Sequence, residues 1–332
     1  MKKNNNTLFS DLKIAKDTDA AITPINSGSI LNKRFVLEEL LATGGMGSIY
    51  KARDLRKEEA NDHNSYVAVK VLGDEFRHHP MAFIALQRES RRIQNLAHPN
   101  IISVHDFDRD NDVVFMTMEY LQGTTLDKII KNPTIELSVD RVMRIANAIA
   151  SALDRAHAQG VIHSDLKPSN IFITNDGDVK LIDFGIARSA KRDDTLVGDS
   201  TIFDAATLSA FTPAYASYEM LEGQDPDPRD DIYAFACIIY ELLTNQHPYE
   251  RLSAKEALKK GVLPIKPKKL SNRTWKILQK GLAIKAAERP LSAKAFMADL
   301  TKPTLSWKLR GTLIGLSVAT LVFFGLFLYA IL

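Results

Sequence analysis

Near the middle of the chain two apolar runs, Ile171-Phe172-Ile173 and Val179-Lys180-Leu181-Ile182, flank an Asn175-Asp176-Gly177 turn. That pattern predicts a small β-hairpin. Upstream, two strand-like runs flank a glycine-rich turn at residues 42–47, and further strands are predicted at 67–70, 101–107 and 113–118. Residues 56–65 are charged and read as a surface loop. Apolar residues recur at helical spacing in 83–96 (Ile84, Leu86, Ile93, Leu96) and in 138–160 (Val142, Ile145, Ile149, Leu153). The second helix ends at Gly160, a C-cap residue. Short helices follow over 250–300. Residues 1–29 are polar and without a clear period, which predicts a flexible tail with one short helix at 8–16. After Gly185 the chain is rich in Ser and Thr (Ser189, Thr195, Ser200, Thr201, Thr207, Ser209, Thr212) and reads as a mobile segment.

The last 22 residues, 311–332, contain no charge and no proline. At about 1.5 Å per residue they would span roughly 33 Å, enough for a hydrocarbon core of about 30 Å. Lys302, Lys308 and Arg310 precede them, so the positive-inside rule places everything upstream in the cytoplasm. The expectation is a single-pass, C-terminal tail anchor in a membrane. Gly311 and Gly315 form a G-x-x-x-G that offers a weak route to a homodimer.

Composition narrows the rest. The chain has 332 residues, 45% hydrophobic and 25% charged, with formal net charge +3. That balance gives no basis for nucleic-acid binding, and no dense basic face is interleaved with aromatics. A lone Cys237 in an apolar run excludes an intrachain disulfide and suits a reducing compartment. The eight histidines lack metal-ligand spacing, and no signal peptide opens the chain.

A hairpin brings its open ends together, so Asp165, Asn170 and Asp183 should converge. Two acids and an amide can hold a divalent cation through hard oxygens and leave one carboxylate free. The run His163-Ser164-Asp165-Leu166-Lys167-Pro168-Ser169-Asn170 resembles the catalytic loop of the protein-kinase family, and Asp183-Phe184-Gly185 resembles its metal-binding motif. Ala42-Thr43-Gly44-Gly45-Met46-Gly47, followed by Val67-Ala68-Val69-Lys70, is similar to that family's phosphate-covering loop and strand lysine. Its Gly-Gly-Met-Gly form resembles bacterial (Hanks-type) serine/threonine kinases. The resemblance covers about residues 30–300.

What the resemblance implies is an α+β, two-lobed fold: a small antiparallel-sheet lobe (30–119) and a larger, mainly helical lobe (122–300), with MgATP between them. A basic linker (301–310) and the transmembrane helix would follow. Lys70 would hold the phosphates and Glu89 would pair with Lys70. Asp165 would orient the substrate hydroxyl, and Lys167 would stabilise the transferring phosphate. Asn170 and Asp183 would bind Mg²⁺. ATP would contact Ala42, Thr43, Gly44, Gly45, Met46, Gly47, Ala68, Lys70, Met118 and the backbone of Glu119 and Leu121. Asp231 would brace the catalytic loop at the start of a buried helix, and Glu219 would pair with Arg289. Five positions depart from the family pattern: Ala42 and Ala236 where it has glycine, Ser164 where it has arginine, Ser217 where it has alanine, and Tyr218 where it has proline. The implied function is transfer of the ATP γ-phosphate to Ser/Thr hydroxyls of protein substrates. The alternatives are an inactive kinase-fold membrane scaffold and a small-molecule phosphotransferase.

Overall fold

The computed structural model describes residues 25–44, 47–73, 87, 90–132, 134–184 and 212–302. Several expectations lie outside the described residues: the helix at 8–16, Gly45, Met46, Glu89, the Ser/Thr positions between 189 and 209, and all of 311–332 with Gly311 and Gly315.

Six strands form one antiparallel sheet: β1 (Ile30–Leu31), β2 (Phe35–Gly44), β3 (Gly47–Asp54), β4 (Tyr66–Leu72), β5 (Val104–Asp110) and β6 (Val113–Glu119). Their order is β1-β2-β3-β4-β6-β5. Side chains alternate across a strand, and β4 shows the consequence. Val67, Val69 and Val71 pack on one face with Leu37, Tyr50 and Phe115. Ala68 and Leu72 join the main core on the other, with Met116 and Met118 of β6. Both faces are covered, so β4 reads as an almost unbroken apolar run. Lys70 interrupts it on the Ala68 side and is only 5% exposed.

The larger lobe holds a three-stranded sheet of β7 (Gly123–Thr125), β8 (Ile171–Thr174) and β9 (Val179–Leu181). β8 and β9 pair antiparallel with Ile171 opposite Leu181, the hairpin expected from the Asn-Asp-Gly turn. Around it lie α2 (Leu126–Lys131), α3 (Val139–Ala158), α4 (Tyr218–Leu221), α5 (Pro228–Thr244), α6 (Ala254–Lys260), α7 (Asn272–Gly281) and α8 (Ala293–Thr301). Ser138 caps α3 by accepting from Arg141 N, and the Val142/Ile145/Ile149/Leu153 stripe faces the core. Every residue of α5 from Asp230 to Leu243 is buried. It starts three residues before Asp231, because Asp227 and Asp230 form a capping box there. Ala236 carries a methyl where the resemblance expects glycine. Its partner supplies the space: a Cβ on Gly281 would lie 2.8 Å from the Ala236 Cβ and 2.5 Å from the Phe296 ring.

Three expectations need correction. Within 56–65 the chain forms a short helix, α1 (Leu55–Glu59), because the Asp54 carboxylate accepts from Arg56 N and caps it. The strand expected from 101 begins at Val104. Residues 100–102 bond β9 instead: Ile102 N donates to Leu181 O at 2.9 Å and Leu181 N to Asn100 O at 2.8 Å. The membrane location is also corrected: among the described residues no helix is long and apolar enough to cross a membrane. The physical reason is charge. α3, at 20 residues, carries Asp140, Arg141, Arg144, Asp154 and Arg155. α5, at 17, carries Arg229, Asp230, Asp231 and Glu241.

Candidate active site

The backbone leading to Asp165 is held from below by a buried carboxylate. Asp231, at the start of α5, accepts from His163 N at 2.8 Å, Ser164 N at 2.9 Å and His157 Nε2 at 2.7 Å. An ionised carboxylate only accepts, so His157 carries its proton on Nε2. Burial alone would raise the Asp231 carboxyl; His157 and the two amides outweigh that and hold it below the usual range. This support lets Ser164 sit at φ +61°, a left-handed conformation that costs about 1–3 kcal/mol for a non-glycine residue. Asp183, in the same site, is also left-handed, at φ +60°. His163 is buried with no hydrogen-bond partner on its ring among the described residues, and it stacks on Phe184 at 4.6 Å. Burial pushes its pKa down and favours the neutral ring.

Asp165, Lys167, Asn170, Asp183 and Lys70 come together. Lys167 Nζ donates to Asp165 Oδ2 at 2.7 Å. Asn170 Nδ2 donates to the Asp165 carbonyl at 2.9 Å and to Oδ2 at 3.1 Å. With its NH₂ committed there, Asn170 keeps its carbonyl oxygen for another partner. Ile182 N donates to Asn170 O at 2.9 Å, which ties the Asp183 strand end to the loop. Lys70 Nζ forms an ion pair with Asp183. Burial raises the Asp165 carboxyl above its ordinary value, and Lys167 offsets that only in part. Burial also acts on Asp183, but Lys70 outweighs it and keeps that carboxylate ionised.

The donor set fits Mg²⁺ in a particular way. Among the described residues no three His, Cys, Asp or Glu side chains group to hold a metal by themselves. Asp183 and Asn170 offer one ionised carboxylate and one amide oxygen. Mg²⁺ is commonly bound by one or two such groups, with water and substrate phosphate oxygens completing its shell.

The nucleotide side is built by the first lobe. Thr43 pairs with Ser48 and Gly44 with Gly47 at the tip of the β2–β3 hairpin, with Ala42 opposite Ile49. Ile49 in turn lies opposite Lys70. Gly47 sits at φ +127°, and a Cβ there would lie 2.0 Å from Val71 O, so close packing on β4 requires glycine. Met118 on β6 lies opposite Ala68 on β4, on the face Lys70 shares. Glu119 ends β6, and Leu121 packs against the core just beyond.

The pattern along the chain did not show what the Glu119 side chain does. Its carboxylate takes Lys180 Nζ of β9 at 2.7 and 3.0 Å and Ser103 N at 2.8 Å. It thereby links the segment joining the lobes to the hairpin that carries Asp183. Lys180 alternates with Val179 and Leu181, which identifies it only as a residue on the hairpin's other face.

A small pocket beside Asp165 is lined by Ser164, Thr212, Tyr215, Ala216 and Met220 among others. Tyr215 OH donates to the buried Glu241 at 2.5 Å, and Arg251 bonds the other Glu241 oxygen at 3.1 Å. Ser217 caps α4 by accepting from Met220 N and donates to Asp230 at 2.5 Å. Tyr218, where the resemblance expects proline, carries the Lys285 ammonium 3.2 Å above its ring. Glu219 meets Arg289 at 2.8 Å, the expected pair.

The comparisons agree with this geometry. The protein kinase domain family matches residues 35–303, and the chain belongs to that family. A probable serine/threonine-protein kinase of Clostridium perfringens is 33% identical over 282 residues, 83% of this chain and 39% of that protein. The serine/threonine-protein kinase pkn3 of Myxococcus xanthus is 34% identical, covering 86% of this chain and 51% of its own. The chain thus spans roughly a third to a half of the length of the curated relatives it matches. The crystal structure of the Mycobacterium tuberculosis PknI kinase domain superposes with TM-score 0.63 at 25% identity, covering 84% of this chain and 99% of that one.

Proposed function

We propose that this chain is a serine/threonine protein kinase, transferring the γ-phosphate of ATP to Ser/Thr hydroxyls of protein substrates, with residues 30–300 as the kinase domain. The observation that carries the reading is the convergence of Lys70, Asp183, Asn170, Asp165 and Lys167 between the sheet lobe and the helical lobe.

In this reading Asp165 accepts the hydroxyl proton as the substrate oxygen bonds to the γ-phosphorus. The bond to the β–γ bridging oxygen breaks, and ADP leaves. Lys167 offsets charge on the transferring phosphoryl group. Lys70 holds the α- and β-phosphates, and Glu89 orients Lys70. Asn170 and Asp183 hold Mg²⁺, which supplies charge neutralisation on the phosphates when bound. Ala42, Thr43, Gly44, Gly45, Met46 and Gly47 cover the phosphates. Adenine lies against Ala68 and Met118, on the backbone of Glu119 and Leu121. The test compares a Ser/Thr protein acceptor with a panel of hydroxylated metabolites, with MgATP and the whole chain. Phosphoserine or phosphothreonine on the protein supports the reading; turnover confined to a metabolite makes the chain a small-molecule phosphotransferase.

Two outcomes are expected. A general base must be deprotonated, and Asp165 titrates above the usual aspartate value of about 4. The acidic limb of kcat/KM against pH is therefore expected above that value. Lys167→Met removes the charge that opposes the rise, so it should move the limb higher still; an unmoved or lowered limb contradicts the assignment. Ser164 supplies no guanidinium for a phosphorylated segment, so phosphatase treatment should change turnover by less than about tenfold. A larger loss overturns that independence.

A further inference from the structure

Between Glu256 and Glu288 the chain has no acidic residue and nine Lys or Arg residues, against a formal net charge of only +3 overall. Within this stretch burial alternates: Val262 and Pro264 are half-buried, while Leu263 and Ile265 are 80% and 79% exposed. Both aliphatic side chains therefore face solvent. The ridge is fixed, since Tyr240 OH donates to Ile265 O at 2.9 Å. Its entry is fixed by the end of α6, where Val262 N donates to Ala257 O at 3.0 Å around Gly261. Leu258 adds a third exposed aliphatic, at 49%. Lys259, Lys260 and Lys268 flank the ridge, are exposed, and form no ion pair among the described residues. Lys269 pairs with Glu136 at 2.8 Å.

The ridge is tied to the substrate side of the site. Lys255 of α6 donates to Leu221 O at 2.7 Å and pairs with Glu222 at 2.7 Å. Leu221 closes α4, directly after the residues that border Asp165.

We propose that Leu258, Leu263 and Ile265, with Lys259, Lys260 and Lys268 around them, form a docking surface for protein substrates, and that it takes an acidic segment carrying aliphatic side chains. This rests on the phosphoryl-transfer reading above. Charge complementarity selects the occupant, because Lys259, Lys260 and Lys268 outnumber the one carboxylate beside them, Glu256. A second copy would bring two basic faces together. Single-stranded nucleic acid prefers aromatic platforms, and the aromatics of this region, Tyr240 and Trp275, are buried.

The test uses the full chain and a labelled peptide of alternating Glu and Leu, free or fused to a Ser/Thr acceptor. Fluorescence anisotropy should show binding that weakens with salt. Lys/Leu and Glu/Ser peptides should bind at least about tenfold more weakly, as should the Glu/Leu peptide to the Leu263→Ser, Ile265→Ser variant. That variant should raise KM for the fused acceptor about tenfold, leaving kcat and turnover of the bare acceptor unchanged. No binding, equal binding of the Glu/Leu and Lys/Leu peptides, or an unaffected variant overturns the proposal; tighter binding of a polynucleotide than of the Glu/Leu peptide does so too. Anisotropy needs no turnover, so peptide binding without phosphate transfer would count against the kinase reading and leave the surface standing.

Discussion

Asp165→Asn is expected to lower phosphate transfer on the order of 10²-fold or more, with ATP affinity little changed. The substitution keeps the shape of the side chain and removes the group that takes the hydroxyl proton. It should not unfold the protein. Burial raises the Asp165 carboxyl despite Lys167, so its charged form is disfavoured in the folded state. A raised acid pKa means that ionisation works against folding above that pKa, so a neutral amide relieves a cost at neutral pH. Turnover and thermal unfolding measured on the same sample separate the two effects. A variant that keeps more than about a tenth of wild-type turnover removes Asp165 from the role of base.

Arg289→Ala is expected to be the most destabilising single change, at about 3–5 kcal/mol. The Arg289 side chain is fully buried and meets Glu219, itself 13% exposed, at 2.8 Å. It also donates to the carbonyls of Ala283 at 2.8 Å, Ile284 at 2.6 Å and Arg229 at 3.1 Å. Truncation strands a poorly hydrated carboxylate and three acceptors at once, where removing an exposed ion pair would cost about 1 kcal/mol or less. Because Glu219 belongs to α4, the loss should be felt beside Asp165 as well as in overall stability. Denaturant unfolding measures it, and a change under about 1 kcal/mol would contradict the account.

Much of the site was legible because its chemistry is local in sequence. Asp165, Lys167 and Asn170 occupy one short loop. Asp183 follows at the far end of a hairpin whose turn residues announce it, and hairpin closure brings the ends together. Asp231 and Arg289 were legible only through the family resemblance, since nothing in their own spacing points at the loop or at Glu219. The Glu119–Lys180 strut was not legible. It joins strands 61 residues apart, and neither side chain breaks the pattern of its own element. The ion pair of Lys70 with Asp183 was hidden by distance alone: Lys70 breaks the apolar run of β4, but its partner lies 113 residues further along the chain. The helix at Leu55–Glu59 was missed because its charged surface reads as a loop, while its formation turns on one cap, Asp54, whose carboxylate is also held by Arg34 at 2.7 Å. Ala236 departs from the expected glycine, and its tolerance depends on Gly281, a residue 45 positions away that no periodicity connects to it.

The most direct test of the central claim follows labelled γ-phosphate from ATP in the presence of Mg²⁺, with the whole chain, a Ser/Thr protein acceptor and Lys70→Met as the control. Label is expected on serine or threonine, lost in the variant because the cation that would hold the phosphates is gone. ATP bound by the wild-type chain with no label reaching any hydroxyl would contradict it and leave an inactive kinase-fold scaffold as the better description.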